Sequence, residues 1–372
     1  MIIGVPKEIK NNEKRVAVTP SGVHDLVKLG HKVMVEGLAG EGSGIPDAEY
    51  ASAGAVICKA NKEVFDASDI IVKVKEPIEE EYGLFKEGQS LFTYLHLAPN
   101  PSLTGMLLKK KITAIAYETV QLRNGLLPLL APMSEVAGRM SVQVGAYMLQ
   151  KYNGGSGILL GGVPGVSPAE VLVVGGGVVG TNAARMALGL GARVTVMDLN
   201  KSRLSWLDET FSGRITTLIY DEYTALRMVE RADLLVGAVL VVGAKAPKTV
   251  TAEMVQKMKP GSVIVDVAID QGGSIETVDR ITTHDNPWYE RYGVMHYSVA
   301  NMPGAVPRTS TYALAGVTLP YLAQIVKKGV RKALSEDASL LSGLNTYDGK
   351  LTCEAVAEGM QMEYTPAGIC IQ

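Results

Sequence analysis

The chain has 372 residues, 47% of them hydrophobic, and a formal net charge of −2. That length is too great for one compact core and predicts two domains, while the hydrophobic content excludes a disordered chain. A near-neutral balance with a pI near 6.3 leaves no electrostatic footprint for nucleic acid or an anionic membrane surface, so the expected partner is a small molecule.

In chain order, the β-branched run Ile2–Val5 reads as a strand that stops at Pro6. A helix follows over 20–29, with Thr19 as its cap, Pro20 at its first position and Gly30 ending it. Strands are expected over 32–36, 70–74, 90–95 and 112–117. Over Ser134–Tyr152, Val136, Met140, Val144 and Met148 recur every four residues behind a serine cap, which predicts a long amphipathic helix. The glycine-rich stretch 154–166, interrupted by Pro164, reads as a loop.

A second series opens with the strand Glu170–Val174 and a helix over 178–190. Strands follow over 193–197, 234–239, 262–267 and 294–299. After the turn-rich segment Asn301–Pro307, another long helix is expected from about Thr309 to Lys328. Strands alternating with helices indicate an α/β fold built on parallel sheets. The two long helices bracket the second series. They predict two Rossmann-like domains joined by those helices: residues 1–130 with 306–372, and residues 131–305, with the active site in the cleft between them.

Cys58, Cys353 and Cys370 are scattered and have no histidine cluster nearby. Neither a disulfide framework nor a metal site is expected, and a reducing cytoplasm fits. The N-terminus lacks the basic and apolar regions of a signal peptide, and no run reaches the roughly 18 apolar residues of a spanning helix. No internal repeat stands out.

Gly175-Gly-Gly-Val-Val-Gly180 matches the pattern G-x-G-x-x-G. In a chain with 40 glycines the pattern alone is weak. Its context is specific: an apolar strand precedes it, an alanine-rich helix follows, and Asp198 ends the next strand about 20 residues on. Gly175 permits the tight turn, Gly177 lets backbone approach a pyrophosphate, and Gly180 lets helix and strand pack closely. Asp198 is placed to accept hydrogen bonds from the adenosine ribose and would repel a 2′-phosphate, so NAD is expected over NADP. Arg203, five residues on, softens that preference.

Ligands of open parallel sheets bind beyond the carboxyl ends of the strands. Arg15, Lys75, His96 and Asp270 each follow such an end. Each also has an ordinary structural use: Arg15 and Lys75 as solvated surface charges, His96 as a packed core histidine, Asp270 as a cap before Gly272-Gly273. Position makes them candidates and no more.

Longer runs of residues carry more. Pro6-Lys-Glu-Ile-Lys-Asn-Asn-Glu-Lys-Arg15, Lys73-Val-Lys-Glu-Pro77, Thr93-Tyr-Leu-His-Leu97 and Ala116-Tyr-Glu-Thr-Val120 closely resemble bacterial alanine dehydrogenase. So do Ala131-Pro-Met-Ser-Glu-Val-Ala-Gly-Arg139, Gly161-Gly-Val-Pro-Gly165, Gly237-Ala-Val-Leu240, Asp266-Val-Ala-Ile-Asp-Gln-Gly-Gly273 and Ala300-Asn-Met-Pro303. The resemblance runs nearly end to end.

It implies reversible conversion of L-alanine, NAD and water into pyruvate, ammonia and NADH. It further implies substrate binding by Arg15 and Lys75, with Tyr94 and Met133 lining the pocket, and His96 and Asp270 as catalytic residues. By the same carry-over, Ser134, Val178, Val179, Val239, Leu240, Val267, Ile269, Arg280, Val299, Asn301 and Met302 are expected to contact NAD. A homohexamer is the usual assembly of such proteins. Three departures stand out: Tyr220 where a small serine is common, Val242 where a proline is usual, and Ala315-Gly316 in place of a frequent Thr-Asn pair.

The rival readings are a transhydrogenase NAD-binding subunit, an opine- or saccharopine-type dehydrogenase, and a non-catalytic NAD-binding protein. The first has no use for Leu95-His96-Leu97, the second needs a larger pocket, and the third needs none of Arg15, Lys75, His96 or Asp270.

Overall fold

The computed structural model describes residues 1–239 and 246–371. Along the chain its strands are β1 (Ile2–Val5), β2 (Lys32–Glu36), β3 (Val56–Cys58), β4 (Ile70–Val72), β5 (Ser90–Thr93), β6 (Thr113–Ala116), β7 (Glu170–Val174), β8 (Arg193–Asp198), β9 (Thr216–Ile219), β10 (Leu234–Gly237), β11 (Val263–Asp266), β12 (Trp288–Arg291), β13 (Val294–Tyr297), β14 (Leu344–Tyr347) and β15 (Lys350–Leu351). The chain divides into two compact units: Met1–Met133 with Val306–Gln372, and Ser134–Ala305.

The first unit holds an eight-stranded sheet in the order β15-β14-β6-β5-β4-β1-β2-β3. The second holds a seven-stranded sheet in the order β12-β13-β11-β10-β7-β8-β9. Both sheets start from a central strand, wind outward to one side, then return to wind to the other, which is the doubly wound arrangement. Their central strands are apolar on both faces because helices cover both: every residue of β4, β10, β11 and β13 is buried.

The sheets are not wholly parallel, as the alternation of strands and helices had led one to expect. β14 runs antiparallel to β6 and to β15, and β12 runs antiparallel to β13. β15 and β12 lie at sheet edges and β14 next to one, and antiparallel neighbours there require no crossover helix.

Thr19 caps the first helix, Pro20–Lys28, with its hydroxyl accepting the Gly22 N–H at 3.3 Å. The helix expected over 134–152 instead runs Ala131–Met148. Ser134 therefore lies within its first turns and is not its cap. The chain leaves it through a single turn, Lys151–Asn153, closed by Gly154 at φ 89°. The late helix runs Pro307–Lys328, with a proline at its start and Pro320 inside it.

In the first unit Phe65, Ile71, Leu91, Leu95, Leu103 and Leu107 form a continuous apolar cluster. Leu172, Val229, Leu235, Ile264 and Ile275 anchor the corresponding cluster in the second. The three cysteines are unpaired. Among the described residues no helix is long and apolar enough to cross a membrane, and no group of side chains is arranged to hold a metal ion.

Candidate active site

Where a doubly wound sheet reverses its winding, the loops leaving two adjacent strands part in opposite directions and open a crevice at the strands' carboxyl ends. In the first unit that point lies between β1 and β4. The loop after β1 carries Glu8, Glu13 and Arg15, and the loop after β4 carries Lys73 and Lys75.

Arg15 is 2% exposed. Its Nε and Nη2 fork the Glu13 carboxylate at 2.7 and 2.5 Å, its backbone N–H reaches the same Oε1 at 3.0 Å, and Nη1 lies 3.1 Å from the sulfur of Met133. Burial alone would pull the guanidinium pKa down. The bonds and charge of Glu13 outweigh it, and the group stays cationic.

Lys73 is fully buried between two carboxylates, with Nζ 3.0 Å from Glu8 and 2.7 Å from Glu81. Burial would lower its pKa, but Glu8 and Glu81 together raise it above the ordinary lysine value. The other oxygen of Glu8 accepts the N–H groups of Val74 (2.6 Å) and Lys75 (3.3 Å). Lys75 is thus fastened by its backbone and half-exposed at its side chain. β4 ends at Val72, so Lys75 stands past the strand, not at its last residue.

Tyr94 is buried, with its hydroxyl donating to Leu129 O at 2.6 Å. Its ring stacks on the imidazole of His96, with 5.9 Å between centroids and 7° between planes. His96 lies beyond β5 at φ 46°, a left-handed conformation for a residue that carries a Cβ. The turn after β6 supplies Glu118, whose carboxylate accepts the N–H of His96 at 2.6 Å and that of Leu95 at 3.1 Å. The same oxygen is 3.9 Å from His96 Nδ1, and the imidazole is 41% exposed.

In the second unit the reversal lies between β7 and β10. Gly175 takes φ 103°, and a Cβ there would press on Ala238 O at 2.7 Å, in the loop leaving β10. A Cβ on Gly180 would overlap the Gly175 carbonyl, whereas one on Gly177 would meet nothing within 4 Å. Two glycines of the motif thus serve close packing, and the middle one leaves its backbone open at the start of the helix Val178–Gly189. That is the cradle a pyrophosphate needs.

Asp198 ends β8. Its carboxylate accepts the N–H of Gly176 at 2.6 Å and that of Asn200 at 2.8 Å. Arg203 donates to Gly176 O at 2.5 Å and to Thr181 Oγ1 at 2.6 Å, with its guanidinium 4.0 Å above the Trp206 ring. Tyr220, a departure noted in the sequence, donates to Thr249 O at 2.5 Å.

The remaining candidates fall into groups. Ser134 is on the helix whose Gly138 closely faces the carbonyl of Val179, and Val178 and Val179 open the helix after the glycine turn. Val239 follows β10, while Val267, Ile269 and Asp270 follow β11, with Asp270 exposed on the turn Ile269–Gln271. Val299 and Met302 are buried, and Asn301 between them adopts φ 59°. Arg280 is pinned to Asp279 at 2.7 Å and lies over the Tyr289 ring. Leu240 and Val242 lie outside the described residues.

Sequence reasoning passed over Glu8, Glu13, Glu118 and Asp266, each of which accepts a backbone N–H at or beside one of the candidates. All four stood inside motifs already singled out, Glu13 two residues before Arg15. An acidic residue among charged neighbours reads as solvated until the fold shows it facing inward.

Family models for alanine dehydrogenase/PNT match here in two parts, the N-terminal domain at residues 4–137 and the C-terminal domain at 141–354. An alanine dehydrogenase from Methanococcus maripaludis is 64% identical over 367 residues, covering 99% of this chain and 98% of its own. Among solved structures, an L-alanine dehydrogenase superposes with a TM-score of 0.94 at 51% identity, covering 97% of this chain and 99% of that one. A transhydrogenase from Sinorhizobium meliloti superposes at 0.80 with 26% identity, covering 95% and 100%. The fold is thus shared with both, but sequence sets this chain with the first. The chain belongs to the alanine dehydrogenase/PNT family.

Proposed function

We propose that this chain catalyses the reversible NAD-dependent oxidative deamination of L-alanine to pyruvate and ammonia. The observation that carries this reading is a buried arginine, a lysine and a histidine at one set of strand ends, in a chain whose full-length relatives are alanine dehydrogenases.

In this reading the cofactor belongs to the second unit: Gly175, Gly177 and Gly180 for the pyrophosphate, Asp198 for the ribose, and Val178, Val239, Val267 and Asn301 among its other neighbours. The open backbone at Gly177 and the carboxylate at Asp198 fit that group. NAD supplies the hydride acceptor for the Cα hydrogen of alanine. Everything else falls to side chains.

Arg15 and Lys75 recognise the carboxylate and the carbonyl oxygen. The Nε–Nη2 edge of Arg15 forks Glu13, which fixes the plane of the guanidinium. A carboxylate met in a water-poor site by fixed cations gains more than it would in solvent. Lys75 offsets negative charge developing on the carbonyl oxygen as ammonia adds to pyruvate. His96 moves the protons of carbinolamine formation and collapse, a task suited to an imidazole. Asp270 orients the attacking water or ammonia.

The assay is direct: NADH formation from L-alanine at alkaline pH, and NADH oxidation with pyruvate plus ammonium. Absence of both rates, with protein that binds NADH, sinks the proposal. His96→Ala and Asp270→Asn are expected to lower turnover by about 10³-fold or more while still binding NADH, as removal of a general acid–base group does. Wild-type turnover in either variant removes that residue from the catalytic set. Asp198→Ser should weaken NAD and relatively favour NADP; an unchanged ratio of kcat/KM for the two removes Asp198 from cofactor selection. A homohexamer in the cytoplasm completes the reading, and light scattering on purified protein checks the assembly.

A further inference from the structure

Asp270 is exposed on a single turn, and an exposed turn has no packing of its own to fix a side chain. What fixes this one lies beneath it. Asp266, fully buried at the end of β11, accepts the N–H groups of Ala268 (3.1 Å), Ser274 (2.9 Å) and Ile275 (3.1 Å), together with the Ser274 hydroxyl (3.3 Å). It therefore ties both ends of the segment 268–275 to one carboxylate. Gly272 and Gly273 complete the turn at φ 86° and 74°, and a Cβ on Gly273 would crowd Asp266 Oδ2 at 2.7 Å.

Three carbonyls of the same segment are gathered by one side chain. Lys248 Nζ donates to Gly272 O at 2.7 Å, Gly273 O at 2.9 Å and Ile275 O at 3.3 Å. An ammonium has three N–H donors, and three carbonyls take them. The backbone of Thr249 adds a bond to Ser274 O at 2.9 Å. So the turn is held by its donors from Asp266 and by its acceptors from Lys248, and the two opposite charges flank it.

We propose that Lys248 is a positioning residue for Asp270: by gathering three carbonyls it holds the turn in the one conformation that presents the Asp270 carboxylate for the reaction. This inference rests on the reading of Asp270 as catalytic. A lysine is required because bonds from a cation are stronger than neutral ones and because no neutral side chain offers three donors from one atom.

The test compares Lys248→Met, which keeps the apolar stem and deletes the donors, with Lys248→Arg, which keeps charge and donors. In Lys248→Met, amide hydrogen exchange should rise by about tenfold or more in peptides spanning 267–275, as local unfolding becomes easier, and stay unchanged across the Gly175–Gly180 turn. Its kcat should fall by about 10- to 100-fold, the range an ångström of misplacement costs. The KM for pyruvate should move less than about threefold, and Lys248→Arg should recover most of kcat.

Unchanged exchange in 267–275, or unchanged kcat in Lys248→Met, overturns the proposal. So does a loss of kcat that Lys248→Arg fails to recover. If Lys248→Met does not fold, Lys248→Gln gives the same readings with two donors left. Asp270→Asn run in parallel separates the two ideas: if it retains turnover, the catalytic reading of Asp270 fails, and hydrogen exchange still reports whether Lys248 holds the turn.

Discussion

His96 combines an exposed imidazole with a backbone at φ 46°. A residue with a Cβ held there costs about 1 kcal/mol or more, so something must stabilise it. Glu118 does so by accepting two consecutive N–H groups, and it sets the ring where Tyr94 stacks on it. The bonds need an acceptor oxygen and no charge. Glu118→Gln is therefore expected to keep kcat within about fivefold of wild type, while Glu118→Ala, which orphans both N–H groups, loses about 1–3 kcal/mol of local stability and most of kcat. A glutamine variant as slow as the alanine variant would show that Glu118 acts through its charge. The same logic joins Glu13 to Arg15 and Glu8 to Lys75: in each case a carboxylate holds the backbone of a candidate residue and leaves part of its side chain to other partners.

At the scale of elements, glycines decide how near strand and helix can come. Gly180 sits where any Cβ would overlap the Gly175 carbonyl, so Gly180→Ala must push the helix Val178–Gly189 away from β7. The expected result is loss of NADH binding by about tenfold or more, with the phosphate cradle widened, and a lower melting temperature. NADH titration and a thermal scan check both; wild-type affinity in this variant would remove the close approach from cofactor binding. The motif's spacing made this element legible from sequence, because the turn chemistry is local. The hairpin β14–β15 was legible too and went unread: Asp348-Gly349 at φ 45° and 77° is the pair a tight two-residue turn demands. β3, β9 and β12 carried no such mark. They are short strands toward the sheet edges, half-exposed, with little apolar alternation to betray them.

For the molecule as a whole, stability leans on a buried charge cluster as well as on two apolar cores. Lys73 is fully buried with Glu8 and Glu81. Lys73→Met leaves two carboxylates facing each other without a cation, a change expected to cost about 3–5 kcal/mol by denaturant unfolding. A loss below about 1 kcal/mol would mean the carboxylates take up protons or water at little cost. The pH dependence has a definite sign. The pKa of Lys73 is higher in the folded chain than in the unfolded one, so its stabilisation is complete below the ordinary lysine value of about 10.4 and is lost as pH rises through the folded value. Wild-type melting temperature should therefore carry a component that declines only above about pH 10.4, absent in Lys73→Met.

By itself the sequence determined the α/β class, the strands at the centre of each sheet, the glycine turn with its acidic partner, and the residues worth testing. Those features are local, or are written in period and spacing, and local chemistry survives without knowledge of the rest of the chain. Only the tertiary structure decided which charged residues face inward. Glu8 meets Lys73 and Lys75 across 65 to 67 positions of chain, and Glu118 meets His96 across 22. Lys248 meets the Asp270 turn across 24 to 27. Nothing in a charged residue's neighbours tells a solvated side chain from one that caps a distant loop, because the difference lies in what folding brings to its other end.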